Sequence, residues 1–265
     1  VRTTAESHRR IAIIEVMGRH SGYIALGASY GQPDIILIPE SRFNIDELTE
    51  KVRTIYDHQQ HVVIVCGEGI IDDAGLEYGA ASGSTDPSGN VLLSGAASNL
   101  ASSLHKRLGD DYFTSTGYFS SGKAAFFTRK VGHTQRGGRP LAFDRFYASQ
   151  LGGNAVKMLL NGANNEVSTL QWSPSDGFTV GSHPAALFRD KYGEIHARTV
   201  HESFYDHGLY QLTPTGREYL LPIFTNAIGS DDTEYIRQSL FDSGNLYHGY
   251  KSVNIQISKR VRYLT

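Results

Sequence analysis

Short apolar runs alternate with longer amphipathic segments along the first part of the chain. Ile11–Glu15, Ile35–Ile38 and His61–Cys66 are apolar runs of strand length. The segments between them, Tyr23–Tyr30 and Ile45–His58, carry apolar residues at helical spacing. Asn44-x-x-Glu47, at the start of the second, resembles a helix capping box. Strands that alternate with helices pair in parallel through right-handed crossovers. The pattern therefore predicts an α/β fold whose parallel sheet is covered by helices on both faces.

A similar pattern continues after the third strand. Ser94 is expected to cap a helix that ends at Leu108. Ala124–Val131, rich in β-branched, aromatic and small residues, is predicted to be a fourth strand. A longer helix is predicted over Leu141–Leu160, with Gly162 ending it. The α/β alternation thus extends to about residue 162.

Two segments lack a clear period. Gly67–Asn90 concentrates Gly, Ser, Asp and Pro in its second half, so we expect a surface excursion rather than a core element. Beyond residue 162 the chain breaks into short pieces rich in Gly, Pro, Tyr and His, with a last strand expected at Val253–Ile257. No internal repeat is present.

Composition narrows the class of protein. The 265 residues are 40% hydrophobic, enough for a real core, and the formal net charge is −2 without a basic stripe for nucleic acid or anionic membranes. Cys66 is the only cysteine, which excludes an internal disulfide framework and suits a reducing compartment. The apolar runs are far shorter than the about 20 residues that a membrane-spanning helix needs. We therefore expect a cytoplasmic protein without nucleic-acid or membrane partners.

Glycine-bordered polar residues follow three of the predicted strands. Met17–Gly22 follows the first, Glu68 follows the third, and Gly132–Gly138 follows the fourth. The last group offers His133, Gln135 and Arg136. Open α/β sheets bind ligands at the edge where their strands end, and backbone N–H groups with a guanidinium favour phosphate. Each group alone also fits a purely structural turn, but their convergence predicts a phosphate-handling site.

Two of these segments resemble the 6-phosphofructokinase family. Glu15–Arg19 reads Glu-Val-Met-Gly-Arg and is followed by Gly22. Gly132–Pro140 reads Gly-His-Thr-Gln-Arg-Gly-Gly-Arg-Pro and leads to Asp144–Arg145, a long and specific signature. Further matches in the same order are Arg10, before the first strand, and Glu68, after the third. The resemblance covers roughly residues 1–162.

The resemblance implies a fold, a reaction and partners. It implies a Rossmann-like sugar-phosphate domain over residues 1–135, a segment returning to the donor-binding domain over 136–189, and a C-terminal extension over 190–265. The reaction would be the glycolytic phosphoryl transfer from ATP or pyrophosphate to O1 of fructose 6-phosphate, giving fructose 1,6-bisphosphate. The phosphotransferase would use Mg²⁺ bound through the donor, and it would be a homo-oligomer whose site is shared across subunits.

The resemblance also implies a role for each matching residue. Arg19 would be catalytic, because its guanidinium would help neutralise the transferring phosphoryl group. The remaining residues would bind the substrate: Met17 and Gly18 at the sugar, Glu68 at its hydroxyls, and His133, Arg136 and, from a neighbouring subunit, Arg10 at the 6-phosphate. Such a site fits phosphoryl transfer, which is catalysed chiefly by positioning and charge neutralisation.

Two family motifs are absent from the 265 residues. Neither the Gly-Gly-Asp loop that holds the donor and magnesium nor the Thr-Ile-x-x-Asp segment that supplies the base occurs. In the family both precede the point where this chain starts, so the sequence resembles the acceptor-site half and should not catalyse the reaction alone. The donor, ATP or pyrophosphate, stays open. The alternative is a non-catalytic sugar-phosphate-binding or regulatory chain.

A second departure concerns basic residues. Strict spacing places Phe127 where the family usually has another cross-subunit arginine, with Arg129 two residues later. Either the strand is shorter by two residues, so that Arg129 makes the substrate contact, or the contact is lost. Asp57 and Gln59 stand where allosteric bacterial members are expected to have lysines, although Arg2 remains. We therefore expect no strong allosteric control.

Overall fold

The computed structural model describes residues 1–79, 93–138, 140–189, 193 and 198–225. Its helices are α1 (Arg2–Ser7), α2 (Tyr23–Gly27), α3 (Ile45–Gln59), α4 (Ala96–Leu108), α5 (Asp110–Thr114), α6 (Ala142–Leu160) and α7 (Pro214–Thr225). Its strands are β1 (Ile11–Val16), β2 (Ile35–Leu37), β3 (Val62–Gly67), β4 (Phe126–Lys130), β5 (Glu166–Ser173), β6 (Gly177–Pro184), β7 (Tyr205–Asp206) and β8 (Gln211–Leu212). Short 3₁₀ helices cover Ala28–Gly31, Gly122–Ala125, Gly132–Arg136, Ala185–Phe188 and Glu202–Phe204.

Four strands form a parallel sheet in the order β2-β3-β1-β4. The chain moves one way across the sheet from β1 to β2 and the other way from β2 to β3 and from β3 to β4. With right-handed crossovers, α2 therefore covers one face while α3 and α4 cover the other. The predicted α/β class with a parallel sheet is confirmed.

The core lies between this sheet and its helices. All six residues of β3 are buried, and Ile11 and Ile13 of β1 are fully enclosed. Leu48 from α3 and Leu100 from α4 complete the same core and are also fully enclosed. Each such side chain contributes about 1.5–3 kcal/mol by leaving water. The central strands are thereby fixed firmly, and with them the loops that follow.

The start of α3 follows its sequence signal. The Oδ1 atom of Asn44 accepts hydrogen bonds from the backbone N–H groups of Asp46 and Glu47, at 2.9 and 3.1 Å. These bonds satisfy two of the N–H groups that a helix start leaves without partners. The predicted cap is confirmed, and the helix ends at Gln59, one residue beyond the predicted His58.

The predicted cap of α4 by Ser94 is wrong. The N-cap residue is Gly95, at a φ of 93°, and no side-chain bond caps the helix from that residue. Instead, the carboxylate of Glu15 accepts from the N–H groups of Gly95, at 3.2 Å, and Ala97, at 3.1 Å. A carboxylate from the central strand satisfies the helix start, so no local hydroxyl is needed there.

Two further boundaries differ from expectation. The fourth strand begins at Phe126, because residues 122–125 form a 3₁₀ turn. The excursion after β3 is not at the surface throughout: Ile70 is fully enclosed, and Tyr78 is 2% exposed. The expectation was wrong for Ile70 and Tyr78, whose side chains belong to the main core, whereas residues 73–76 are exposed as expected. Residues 80–92 lie outside the described chain.

The part after residue 162 contains an element that the pattern did not reveal. β5 and β6 form an antiparallel hairpin in which Trp172 is paired with Phe178. A tight turn with Gly177 at a φ of 65° joins them. The hairpin strands lie mainly at intermediate or exposed positions, so no clean alternation marks them. The strand expected at Val253–Ile257 lies outside the described residues.

Residues 198–225 pack against the outer edge of the main sheet. The hydroxyl of Tyr205 donates to the carbonyl of Ile36 at 2.6 Å, and the N–H of Ile36 donates to the carbonyl of Tyr210 at 2.9 Å. Phe204 and Leu220 of this segment belong to the main core. This part of the chain therefore covers β2, which is the edge strand of the sheet.

The predicted long helix is confirmed as α6, and Gly162 follows it at a φ of 79°. Phe143 is its only buried residue, while Phe146 is 57%, Leu159 72% and Leu160 82% exposed. α6 thus carries apolar residues on several sides, whereas the rest of the described chain covers it on one side. No described helix combines the length and the apolar content required to cross a membrane.

We predict that Cys66 resists thiol reagents while the protein is folded. The residue is fully enclosed in β3, and burial raises the pKa of its thiol, with the nearby charge of Glu15 as the second cause. Since the thiolate is the reactive form, alkylation should be far slower in the native protein than in denaturant. Mass spectrometry of the peptide containing Cys66 measures both rates. Equal rates in the two conditions would contradict this burial.

Candidate functional site

Three polar turns lie at the edge of the sheet where the parallel strands end, called here the carboxyl edge. Glu68 follows β3, Met17–Gly22 follows β1, and the 3₁₀ helix Gly132–Arg136 follows β4. These strands are neighbours in the order β3-β1-β4, with the usual spacing of about 4.8 Å. The structure therefore brings together the three groups that the sequence pattern placed at one edge.

Glu68 fixes the backbone of the Met-Gly-Arg turn. Its Oε1 atom accepts from the N–H groups of Gly18, at 3.2 Å, and Arg19, at 3.1 Å. Gly18 has a φ of 147° and Arg19 a φ of 49°, so both occupy backbone regions that side chains rarely adopt. Glu68 is 6% exposed, whereas Arg19 is exposed. One carboxylate oxygen thus organises the turn, and the arginine remains accessible from outside.

Two glycines permit this turn to lie close to its neighbours. A Cβ atom on Gly69 would lie 2.1 Å from the carbonyl oxygen of Arg19. A Cβ atom on Gly79 would lie 1.8 Å from the carbonyl oxygen of Glu68. Both approaches involve backbone atoms, which cannot turn aside as a flexible side chain can. Gly79 was missed by sequence reasoning, because nothing local distinguishes it from the other glycines of its loop.

Lys130, the last residue of β4, is another residue that sequence reasoning missed. Its ammonium lies 3.2 Å from Oε1 of Glu15 and 3.8 Å from Oε2 of Glu68. It also donates a hydrogen bond to the carbonyl of Leu93 at 3.2 Å. Lys130 is the register partner of Glu15 and lies on the same face of the sheet. Its place in the predicted fourth strand was the signal that the sequence offered. The ammonium of Lys130 is therefore paired with the carboxylates of both Glu15 and Glu68.

Glu40 closes the other end of the first turn and was also missed. After β2, its Oε1 atom accepts from the N–H of Gly22 at 2.9 Å and from the N–H of Val200 at 2.8 Å. Its Oε2 atom is shielded and has no hydrogen-bond partner among the described residues. Glu40 thereby links the Met17–Gly22 turn to the segment that covers β2.

The turn after β4 presents basic side chains to the outside. Gly132 has a φ of 62°, which lets the chain turn sharply out of the strand. His133 and Arg136 are exposed, whereas both polar atoms of the Gln135 amide are shielded and unpaired within the described chain. An exposed imidazole and guanidinium on one short turn are suited to an anionic group.

Arg10 does not join this cluster within one chain. It precedes β1 and so lies at the opposite end of that strand from Met17. Six strand residues separate the two positions, a distance of about 20 Å. Within one chain, Arg10 and the turn at the carboxyl edge cannot contact the same small ligand.

Arg129 lies on the same face of β4 as Phe127, because side chains two residues apart in a strand share a face. Its guanidinium lies 4.9 Å from the centre of the Phe127 ring. Arg129 therefore lies on the face of β4 where the family spacing leads us to expect an arginine at position 127. It lies two residues further along the strand, nearer to the carboxyl edge. The described structure does not bring it into contact with Glu68.

Metal-binding capacity is low in the described residues, where no cluster of three or more His, Cys, Asp or Glu side chains could hold an ion.

At the other end of the sheet, Arg2 lies 3.3 Å from the carboxylate of Asp34, and Gln59 donates to that same carboxylate at 3.2 Å. The positive charge of Arg2 is therefore already balanced there. The absence of strong allosteric control stays a prediction.

We predict that Gly69→Ala lowers the free energy of unfolding by about 1–3 kcal/mol, since the added methyl group would collide with the backbone of Arg19. Gly31→Ala is the matched control, because a Cβ atom there meets nothing within 4 Å. Denaturant unfolding of both variants measures the difference. The close approach at Gly69 would be refuted if the two variants were equally stable.

Comparison with known proteins agrees with this geometry. The sequence model of the phosphofructokinase family, described as "Phosphofructokinase", matches residues 1–159. A pyrophosphate–fructose 6-phosphate 1-phosphotransferase of Amycolatopsis methanolica is 37% identical over 165 residues, 61% of this chain and 43% of the relative. An ATP-dependent 6-phosphofructokinase of Corynebacterium efficiens is 36% identical over 171 residues, 64% of this chain and 45% of the relative. The chain thus spans less than half the length of these relatives.

Solved structures support the fold. The pyrophosphate-dependent phosphofructokinase of Nitrosospira multiformis superposes with a TM-score of 0.63 at 20% identity, covering 95% of this chain and 53% of that one. That of Marinobacter aquaeolei gives 0.60 at 21% identity, covering 86% and 51%. At this identity the likeness concerns the fold alone. Because the family model spans more than half of the chain, the chain belongs to the phosphofructokinase family.

Proposed function

We propose that this chain forms the acceptor site of a 6-phosphofructokinase. The enzyme would transfer a phosphoryl group from ATP or pyrophosphate to O1 of fructose 6-phosphate, giving fructose 1,6-bisphosphate in glycolysis. The observation that carries the proposal is the convergence of Arg19, Glu68 and the His133–Arg136 turn at one edge of one sheet. The relatives are named as enzymes, which does not favour a purely regulatory chain.

The roles of the sugar-facing residues follow from the geometry of the turn. Oε1 of Glu68 is engaged by two backbone N–H groups, so Oε2 is the oxygen that would accept from a sugar hydroxyl. Met17 and Gly18 would contact the sugar through the turn that Oε1 holds. Arg19, exposed at the end of the turn, would act as the catalytic residue by neutralising the phosphoryl group as charge moves toward the acceptor.

The 6-phosphate would bind to His133 and Arg136. Arg10 would contribute from a second subunit, because the length of β1 separates it from the carboxyl edge of its own chain. Arg129, which faces the side of the sheet on which Phe127 lies, would add a further cation. The proposed functional unit is therefore a homo-oligomer with a shared site.

The donor half of the reaction depends on residues outside this chain. Mg²⁺ would arrive bound through the donor phosphates. The base that removes the proton from the sugar 1-hydroxyl is also expected outside these 265 residues. The named relatives use pyrophosphate in one case and ATP in the other, so both donors belong to the proposal. We place the enzyme in the cytoplasm.

The apolar surface of α6 supports the proposed domain division. We assign residues 1–135 to the sugar-phosphate domain and 136–189 to a segment that returns to the donor-binding domain, followed by an extension over 190–265. A helix that is apolar on several sides is usually buried on several sides. The exposed Phe146, Leu159 and Leu160 would thus be covered by the donor-binding domain.

The experiment that tests the function is an assay of the full-length protein with fructose 6-phosphate, Mg²⁺ and either ATP or pyrophosphate. We expect fructose 1,6-bisphosphate with one donor, and comparison of the two rates identifies that donor. Glucose 6-phosphate serves as the control acceptor, because it carries the same 6-phosphate on a different sugar ring. Absence of the bisphosphate with both donors would overturn the proposal.

Arg136→Ala should weaken the binding of fructose 6-phosphate by about 2–5 kcal/mol, the usual cost of removing one member of a desolvated charge pair. Arg53→Ala is the matched control, because Arg53 lies on α3 and pairs with Glu50 at 3.3 Å. Titration calorimetry on full-length protein measures both affinities. An unchanged affinity in Arg136→Ala would remove Arg136 from the phosphate site.

A further inference from the structure

Lys130 lies where three segments meet below the carboxyl edge. Its ammonium has three N–H donors and three oxygens around it: Oε1 of Glu15 at 3.2 Å, the carbonyl of Leu93 at 3.2 Å and Oε2 of Glu68 at 3.8 Å. The contact with the carbonyl of Leu93 is a hydrogen bond, and the contacts with Glu15 and Glu68 are ion pairs. These oxygens belong to β1, to the segment before α4 and to the loop after β3.

The two carboxylate oxygens of Glu68 have different partners. Oε1 accepts from the N–H groups of Gly18 and Arg19, and Oε2 faces Lys130. A carboxylate is planar, so a force on one oxygen also sets the direction of the other. The attraction of Lys130 for Oε2 therefore helps to hold Oε1 against the backbone of the turn.

We propose that Lys130 is a positioning residue for the sugar site and acts through Glu68. It holds the carboxylate plane so that Oε1 fixes the turn of Gly18 and Arg19 while Oε2 accepts from the ligand. The expected effect on fructose 6-phosphate binding rests on the proposed function. The positioning itself can be measured without any ligand.

Lys130 also balances the charge of Glu15, which is 1% exposed. Removing the lysine alone would leave a buried carboxylate without its counter-ion, and the protein could lose stability for that reason only. The double variant Glu15→Gln with Lys130→Met removes both charges. A glutamine oxygen still accepts from the N–H groups of Gly95 and Ala97, so the start of α4 keeps its cap.

The experiment compares Lys130→Met, Lys130→Arg and the double variant in the full-length protein. Lys123→Met is the matched control, because Lys123 is exposed before the other end of β4. Denaturant unfolding gives stability, hydrogen exchange gives the protection of the peptide containing residues 17–19, and calorimetry gives the affinity for fructose 6-phosphate. The exchange is measured without ligand.

We expect the double variant to recover stability relative to Lys130→Met but not to recover the site. Its turn peptide should exchange faster than in wild type, and fructose 6-phosphate should bind about 10- to 100-fold more weakly, as for a misplaced binding group. Lys130→Arg should retain most of the affinity because it keeps the cation. The control should match wild type in all three measurements.

Two results would overturn the positioning role. One is an unchanged exchange rate of the turn in the double variant, and the other is an affinity equal to that of wild type. If wild type itself binds no fructose 6-phosphate, the proposed function fails. The exchange rates of the turn then decide the role of Lys130 on their own.

Discussion

A carboxylate with almost no access to solvent lies at the junction of the central strand, the start of α4 and the end of β4. Glu15 is 1% exposed, and a buried charge that is left without partners costs several kcal/mol. The N–H groups of Gly95 and Ala97 and the ammonium of Lys130 supply that compensation. The partners of one charge thereby fix the helix and the strand that border the site.

Other glutamates along the carboxyl edge also accept hydrogen bonds from backbone N–H groups. A glutamate lies at or just after each of β1, β2 and β3, and each accepts backbone N–H groups from another segment: Glu15 from α4, Glu40 from the end of the first turn and Glu68 from its middle. Carboxylates thus organise the backbone below the edge, while Arg19, His133 and Arg136 are exposed above it. Acidic groups therefore hold the backbone of these loops, and the basic side chains lie on their exposed side.

The parts of this arrangement that sequence predicted are those set by local pattern. Apolar period located the strands of the parallel sheet and α3, and Asn44 capped that helix as its spacing indicated. The parts that it missed depend on contacts between distant residues. The cap of α4 comes from Glu15, about 80 positions earlier in the chain, and Lys130 and Gly79 acquire their roles only when β4 and the loop after β3 meet β1. The hairpin after residue 162 escaped because its strands lack a clean alternation of buried and exposed positions.

Phe127 and Arg129 lie on the same face of β4, which is an edge strand of the main sheet. A shift of one residue would turn the guanidinium to the opposite face of the sheet, among the residues that contact α4. A shift of two residues keeps the face and moves the charge by about 7 Å along the strand. A position-by-position comparison finds Phe127 where the family resemblance leads us to expect an arginine, although Arg129 lies on the same face of the strand. In sequences of this kind, a search for substituted site residues gains from comparing strand faces rather than single positions.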